Sequence, residues 1–330
     1  MTLPLPALLL VALCFGATLI ALPLYIRWAK SGLVDTPNER SAHVDPTPTG
    51  GGIVFLSIWL ACLAAGAWLL PESREAALAL GPAALLLMLL GWIDDRQPLP
   101  ASLRLAIQFG CAAMVLILWP WPDAPTHIFW PLAGLALLYL VYSTNITNFM
   151  DGIDAIVALQ VLAFVTGALL LAPDTPFTLP LLLLGAAVLG FYFFNMPPAR
   201  LFMGDGGSAP LGLLVAAITL CFAAQDWRAG LALLLLQGVF LCDSAVTLLR
   251  RVLRRRNIAQ AHSEHAYQHA KRRWGHAPVS YGLFALTMLV QLPLALAVGR
   301  GWLPFWAAAV DLILLALLAL LFRAGAPRTD

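Results

Sequence analysis

The sequence predicts an all-α polytopic integral membrane protein with ten to eleven transmembrane helices, its N-terminus outside and its active site on the cytoplasmic face. Three observations predict it. The 330 residues are 61% apolar and 11% charged, against roughly a quarter charged in an ordinary soluble domain. Apolar runs long enough to cross a hydrocarbon layer of about 30 Å, which takes roughly 20 helical residues, recur from one end to the other. The basic residues fall almost entirely in alternate loops between those runs.

The runs cover roughly 3–26, 51–70, 77–93, 103–120, 128–144, 154–172, 179–195, 209–224, 229–249, 281–298 and 302–322. The first lacks a basic leader and is followed, not preceded, by Arg27 and Lys30, so it reads as a retained span and not a cleaved signal peptide. The longest polar stretch, about 30 residues, is shorter than an independent domain requires. Residues 1–330 therefore read as a single transmembrane catalytic domain, with 250–280 a cytoplasmic basic, histidine-containing loop inside it.

With eleven spans, the loops after odd-numbered spans share one side with the C-terminus. That side carries sixteen of the nineteen Lys and Arg, among them Lys30, Arg40 and Arg328, and leaves Arg74, Arg228 and Arg300 on the other. Cytoplasmic loops carry the Lys and Arg excess, which places the C-terminus in the cytoplasm. Cys14, Cys62, Cys111, Cys221 and Cys242 all fall inside apolar runs without metal-ligand spacing and read as small core residues. There is no internal repeat and no nucleic-acid motif, so no nucleic-acid partner is expected.

The polar residues gather on the basic side. Asp94 and Asp95 end the third span, where adjacent carboxylates repel unless a cation, a proton or solvent relieves them; a solvated stop signal is the plain alternative. Asn145, Asn148, Asp151 and Asp154 repeat every third residue, which on a helix keeps all four near one face. Oxygen ligands of this kind suit Mg²⁺ shared with substrate phosphates, and an Asx-rich helix start is the alternative. Phe202 to Ser208 (FMGDGGS) form a tight turn before a span, its glycines permitting close approach to a ligand and Asp205 placed to hold a metal or cap the helix. The Pro46–Gly52 stretch (PTPTGGG) is similar, but without Walker spacing or a following Lys it is not a P-loop.

His262, His265, His269 and His276 fall within about 60° of one another if their loop is helical. A phosphate-binding cationic face, a zinc site and a solvated surface compete here; zinc wants a closed set of three or four ligands, usually with Cys or Glu, and the first is preferred. The arginines from Arg250 to Arg256 suit anionic lipid headgroups. Asp243 and Asp311 lie inside spans, where a charge is costly and needs a role or a partner.

Together GWIDD, NITNFMDGID, FMGDGGS, the PTPTGGG loop and the basic loop HSEHAYQHAKRRWG resemble the polyprenyl-phosphate N-acetylhexosamine-1-phosphate transferase superfamily (glycosyltransferase family 4), in the family's order and along nearly the whole chain. The last loop resembles the O-antigen-initiating branch. The resemblance implies an Mg²⁺-dependent enzyme, with Mn²⁺ a substitute, in which undecaprenyl phosphate attacks a UDP-N-acetylhexosamine and releases UMP in a bacterial inner membrane. It implies Asn148 and Asp205 as metal ligands, Phe202 stacking on uracil, Asp154 at the uracil edge, and Asp151, Thr47, Thr49 and Gly50 beside the substrate. It further implies Asp94 and Asp95 facing the lipid phosphate, Asp94 as the usual base, His262 and His265 at the pyrophosphate, and Arg96, Arg104, His269 and Arg255 at phosphate or lipid headgroups. Relatives often pair, so a homodimer is expected by analogy.

A phosphate monoester has its second pKa near 6, so the acceptor is mostly a dianion at neutral pH. A strong base is hardly needed, and Asp94 and Asp95 are expected to position more than to deprotonate in a direct displacement. The peptidoglycan branch has a lysine before its TPT segment and a run of histidines; here the neighbours are His43, Val44 and Asp45, and the run is HSEH. A smaller donor such as UDP-GlcNAc, UDP-FucNAc or UDP-QuiNAc fits better by analogy. The rival class, a transporter or flippase, would place its site near the bilayer midplane at broken helices in matching halves, which this sequence does not show.

Overall fold

A computed structural model describes residues 4–29, 34–35, 46–119, 121, 126–172, 174–256 and 262–327. Lys30, Arg40, His43, Val44, Asp45 and Arg328 lie outside the described residues. The helices are α1 (Leu5–Ala29), α2 (Gly51–Leu69), α3 (Arg74–Asp94), α4 (Ala101–Leu118), α5 (Thr126–Met150), α6 (Ile156–Leu171), α7 (Thr178–Asn195) and α8 (Asp205–Gln225). They continue as α9 (Trp227–Leu236), α10 (Gly238–Leu253), α11 (Ala266–Trp274), α12 (His276–Leu286), α13 (Leu292–Gly299) and α14 (Trp306–Leu321). A two-residue pair, β1 (Val34–Asp35) with β2 (Thr47–Pro48), is antiparallel.

Each of the eleven apolar runs is helical, and the protein is an all-α polytopic membrane protein. Among the described residues, eight helical segments are long and apolar enough to cross a bilayer, nine if α9 and α10 count as one bent span. α6 and α14, the sixth and eleventh runs, are apolar but 16 residues long, about 24 Å at 1.5 Å per residue. The tenth run is longer than expected, passing from α12 through a π-helical turn at Thr287–Gln291 into α13.

The composition explains the packing. α1 buries Ala7, Leu10, Cys14, Thr18 and Leu22 on one stripe while Leu9, Leu13, Ile20 and Leu24 stay exposed. An outer apolar surface of this extent suits lipid, not water. α8 is the centre, packed against α2, α3, α5, α6 and α9, and its small residues Gly206, Gly207, Ser208, Ala209, Gly212, Ala216 and Ala217 are all buried. Small residues let helices approach closely where apolar burial gives no net drive in lipid. The five cysteines are buried and unpaired, as core residues are.

The ninth span is bent by 70° between α9 and α10. The bend leaves α9 carbonyls without intrahelical donors, which is costly in hydrocarbon, and three glutamine amides take them up. Gln160 donates to the Leu236 carbonyl, Gln291 to that of Leu235 at 2.7 Å, and Gln237 to that of Leu233 at 3.1 Å. Gln237 also receives Tyr139 at 2.8 Å, and Gln291 reaches Asp311 at 3.5 Å. Asp311 thus has the partner that sequence proximity failed to supply. Gln291→Leu is expected to destabilise the protein by about 1–3 kcal/mol, the cost of orphaned buried acceptors. Thermal unfolding in detergent checks this, and an unchanged midpoint would refute it.

Candidate functional site

The helix ends near 29, 51, 94, 101, 150, 156, 195, 205, 253, 276 and 321 converge at one end of the bundle, where loops far apart in sequence are bonded to one another. Phe202 N–H donates to the Pro48 carbonyl at 2.8 Å, and Gly51 and Gly52 N–H donate back to Phe202 and Met203 at 2.9 and 2.8 Å. The two glycine loops therefore form one ladder. Their glycines serve close backbone approach between helices more than approach to a ligand: a Cβ on Gly52 would overlap the Gly207 backbone, and one on Gly204, at φ 74°, would come 2.5 Å from the Asp95 carboxylate. Thr47, Thr49 and Gly50 sit in this ladder, the Thr49 carbonyl receiving Tyr25 OH at 2.9 Å. They and Phe202 lie outside the lining of the cavity that Asp94, Asn148 and Asp205 share.

Asp95 supplies the cap that α8 lacks. Its carboxylate receives the N–H of Asp205 at 2.9 Å and of Gly206 at 3.3 Å, while Gly204 at the N-cap offers no side chain. Asp205 is thus the capped residue, not the cap. Burial pushes the Asp95 carboxyl above its usual range, and the two N–H donors oppose that. Asp94 turns the other way, receiving Leu99 N–H at 2.6 Å and pairing with Arg104 at 2.6 Å. Arg104 also lies 3.9 Å from Asp205, between two carboxylates. Arg96 stacks over Trp92 at 3.7 Å and lies 5.7 Å from Trp28, as a cation does among aromatics at a membrane boundary.

The helical reading of the Asn145–Asp154 segment is corrected. α5 ends at Met150 and a turn follows, closed by Ala155 in the left-handed region at φ 65°. Asn145 and Asn148 share a helix face, but Asp151 and Asp154 leave it. Asn145 donates to Gln108 at 2.7 Å, and Asn148 lies against Asp205 within polar contact. Asp154 is buried behind them, receiving Ala199 N–H at 3.1 Å and pairing with His276 at 3.0 Å. Burial, with Asp205, Asp95 and Asp154 nearby, pushes the Asp151 carboxyl up to about 8.

The four histidines do not share a helical face either. α11 starts only at Ala266, and Gly275 at φ 81° separates it from α12. His269 turns to the Ala326 carbonyl at 3.3 Å and His276 to Asp154, whereas His262 and His265 stack with centroids 5.0 Å apart. Burial, then His265 and Arg251, push the His262 ring down to about 4. The basic run is largely engaged: Arg251 and Arg256 pair with Glu264 at 2.9 and 2.8 Å, and Arg250 and Arg254 donate to the Ala324 and Gly325 carbonyls. Arg255, at φ 55°, is exposed at the end of α10.

What converges is a cavity of about 410 Å³. Asp94, Arg104, Gln108, Asn145, Asn148, Phe149, Asp205, His262 and His265 line it, with apolar residues of α3, α4 and α8. Sequence reasoning missed Gln108 and Asn145 as a hydrogen-bonded pair, and it missed the ties that seat α11. Those ties are Tyr267 OH to the Phe149 carbonyl at 2.9 Å and Lys271 to the Gly152 carbonyl at 3.1 Å. Burial pushes Lys271 down to about 8. Among the described residues no three His, Cys, Asp or Glu are grouped as a metal site. Two hard oxygen donors, Asn148 and Asp205, facing open space suit a cation that keeps several waters.

The family model Glycosyl transferase family 4 matches residues 77–223, from α3 into α8. A probable undecaprenyl-phosphate N-acetylglucosaminyl 1-phosphate transferase of Bacillus subtilis is 30% identical over 264 residues, 76% of this chain and 73% of the relative. A phospho-N-acetylmuramoyl-pentapeptide-transferase of Picosynechococcus is 32% identical over 268 residues, 74% of this chain and 69% of the relative. Another with that name, from Enterococcus faecalis, is 29% identical over 269 residues, covering 73% and 81%. With the resemblance spread over about three quarters of both partners, the protein is a membrane-embedded transferase belonging to glycosyl transferase family 4.

Proposed function

We propose that the protein transfers an N-acetylhexosamine 1-phosphate from a UDP-sugar to undecaprenyl phosphate, giving the lipid-linked diphosphate sugar and UMP, with the cavity on the cytoplasmic side of a bacterial inner membrane. The convergence of Asp94, Arg104, Asn148, Asp205, His262 and His265 on one cavity carries this reading. The relatives' names support polyprenyl-phosphate sugar-phosphate transfer as the general chemistry. The excess of Lys and Arg at that end supports its orientation.

Asn148 and Asp205 would hold Mg²⁺, which when bound neutralises phosphate charge and orients the diphosphate. The chain's own groups account for the remainder. Arg104, freed from Asp94 and Asp205 as the cluster gains positive charge, is placed to meet a phosphate oxygen. His262 and His265 line the same space and are placed to meet a phosphate. Asp95 carries both α8 donors and positions Asp205. Asp94, held by the Leu99 N–H, orients an acceptor that is already ionised. The HSEH loop supports a small donor such as UDP-GlcNAc, UDP-FucNAc or UDP-QuiNAc, used to start O-antigen or another surface polysaccharide.

Purified protein with MgCl₂, undecaprenyl phosphate and a panel of radiolabelled UDP-sugars is expected to release UMP with at least one donor. Failure with all of them, where a known relative works, would refute the proposal. Transport is not favoured: among the described residues the glutamine amides at the bent span are taken up by its carbonyls, and the cavity of the acidic residues lies at the helix ends.

A pH dependence follows. A carboxyl whose folded pKa is raised to about 8, as for Asp151, binds more protons folded than unfolded, so its contribution to stability falls as pH climbs from about 4 to 8. A divalent cation offsets that ionisation. MgCl₂ is expected to raise the melting temperature more at pH 8 than at pH 5.5; equal gains by scanning fluorimetry would count against the cation.

A further inference from the structure

We infer that Asp243 is a positioning residue for the transfer reaction, acting from inside α10 to hold His265 and the first turn of α11 so that the His262 and His265 rings face the cavity. The inference rests on the proposed phosphate role of these histidines.

Asp243 is 4% exposed, and a carboxylate at that depth requires partners. Its Oδ2 receives Tyr267 N–H at 3.1 Å, and its Oδ1 receives Ala266 N–H at 2.8 Å and Thr247 Oγ1 at 3.2 Å. Ala266 and Tyr267 open α11, whose first N–H groups have no intrahelical acceptor. Asp243 therefore caps α11 from another helix, as Asp95 caps α8. Both capped starts carry a cavity-lining side chain: Asp205 opens α8, and His265 is the N-cap of α11.

The second observation concerns His265 itself. The ring is 1% exposed, yet its Nε2 has no hydrogen-bond partner in the protein. Nδ1 lies 3.4 Å from Asp243 Oδ1, at ion-pair distance, and the ring lines the cavity beside Asp94, Arg104, Asn148 and Asp205. A buried imidazole left without a partner is built for a ligand. The Asp243 carboxylate beside Nδ1 is placed to orient the ring and leave Nε2 for that ligand. A neutral cap such as Asn would satisfy one helix N–H as well, but it would set no carboxylate against Nδ1. Glu264, with Arg251 and Arg256, closes the loop from the other side and leaves Asp243 as the carboxylate facing His265 among the described residues.

The test is a double-mutant cycle on the full chain in lipid nanodiscs with MgCl₂, undecaprenyl phosphate and the accepted UDP-sugar. Asp243→Asn is expected to lower kcat by about 10–100-fold, the usual effect of removing a partner that orients a functional imidazole, with the donor KM changed less than about threefold. In a His265→Gln background the same change is expected to cost almost nothing, because the coupled pair is already broken. Thr247→Val, a milder and near-isosteric change, is expected to show a few-fold loss that also vanishes beside His265→Gln, and it serves if Asp243→Asn fails to fold.

Losses that multiply in the double variants, or a melting temperature that falls in step with kcat, would overturn the inference and leave the phosphate reading intact. Full turnover by His265→Gln would overturn both, since Asp243 would then have no reacting group to position.

Discussion

Asp205→Asn is expected to cut turnover by about a thousandfold or more, the scale on which a charge that stabilises a phosphoryl-transfer site acts, while leaving the melting temperature almost unchanged. The side chains are nearly isosteric. The backbone N–H that Asp95 holds belongs to residue 205 whatever its side chain, so α8 stays capped. What is lost is the negative charge between Arg104 and Asn148. UMP release measured against MgCl₂ concentration checks this: the remaining activity should need far more metal. Full activity at ordinary MgCl₂ would place the cation elsewhere.

Asp94→Asn separates the neighbouring acids by mechanism. The amide cannot hold Arg104 as an ion pair, so the guanidinium is expected to settle on Asp205 and oppose cation binding. The pattern at Asp94 is then a loss of metal affinity together with turnover. At Asp95 the expected first consequence is different: α8 loses its acceptors and the protein is less stable.

The spans were legible because membrane burial is written in composition: a run of about 20 apolar residues has few alternatives to a helix. The convergence of the acidic loops was legible through the alternation of basic loops, which put them on one side before any contact was known. The caps were not. Asp95 and Asp243 act on N–H groups 110 and 23 residues away in sequence, and no local pattern marks a carboxylate that caps another helix. The two errors of periodicity share a cause. Asn145–Asp154 and His262–His276 were given one helical phase, but the first helix stops at Met150 and the second is interrupted at Gly275, so the 100° rule was carried across breaks. Gly275 was visible as a helix terminator, whereas the end of α5 depends on Asp154 being drawn to Ala199 and His276, contacts at long range.

Gly91→Ala is expected to lower turnover by about a hundredfold, with a fall in stability of about 1–3 kcal/mol, the usual cost of overpacking. Alanine normally favours a helix by about 1 kcal/mol over glycine, so the predicted sign rests wholly on the site. A Cβ on Gly91 would overlap the Asp205 carbonyl and the Gly206 nitrogen, both backbone atoms that no rotamer change can move. α3 must therefore shift away from α8, carrying Asp94 from Asp205 and drawing Asp95 off the α8 cap. A displacement near 1 Å in such a site costs about a hundredfold in rate. Gly110→Ala and Gly134→Ala are the controls: nothing lies within 4 Å of the added carbon at either position, so both should keep full turnover and melt no lower. Thermal unfolding and UMP release on the three variants decide it, because a Gly91→Ala protein as active as the controls would mean that α3 and α8 need not touch for Asp94, Asp95 and Asp205 to work together.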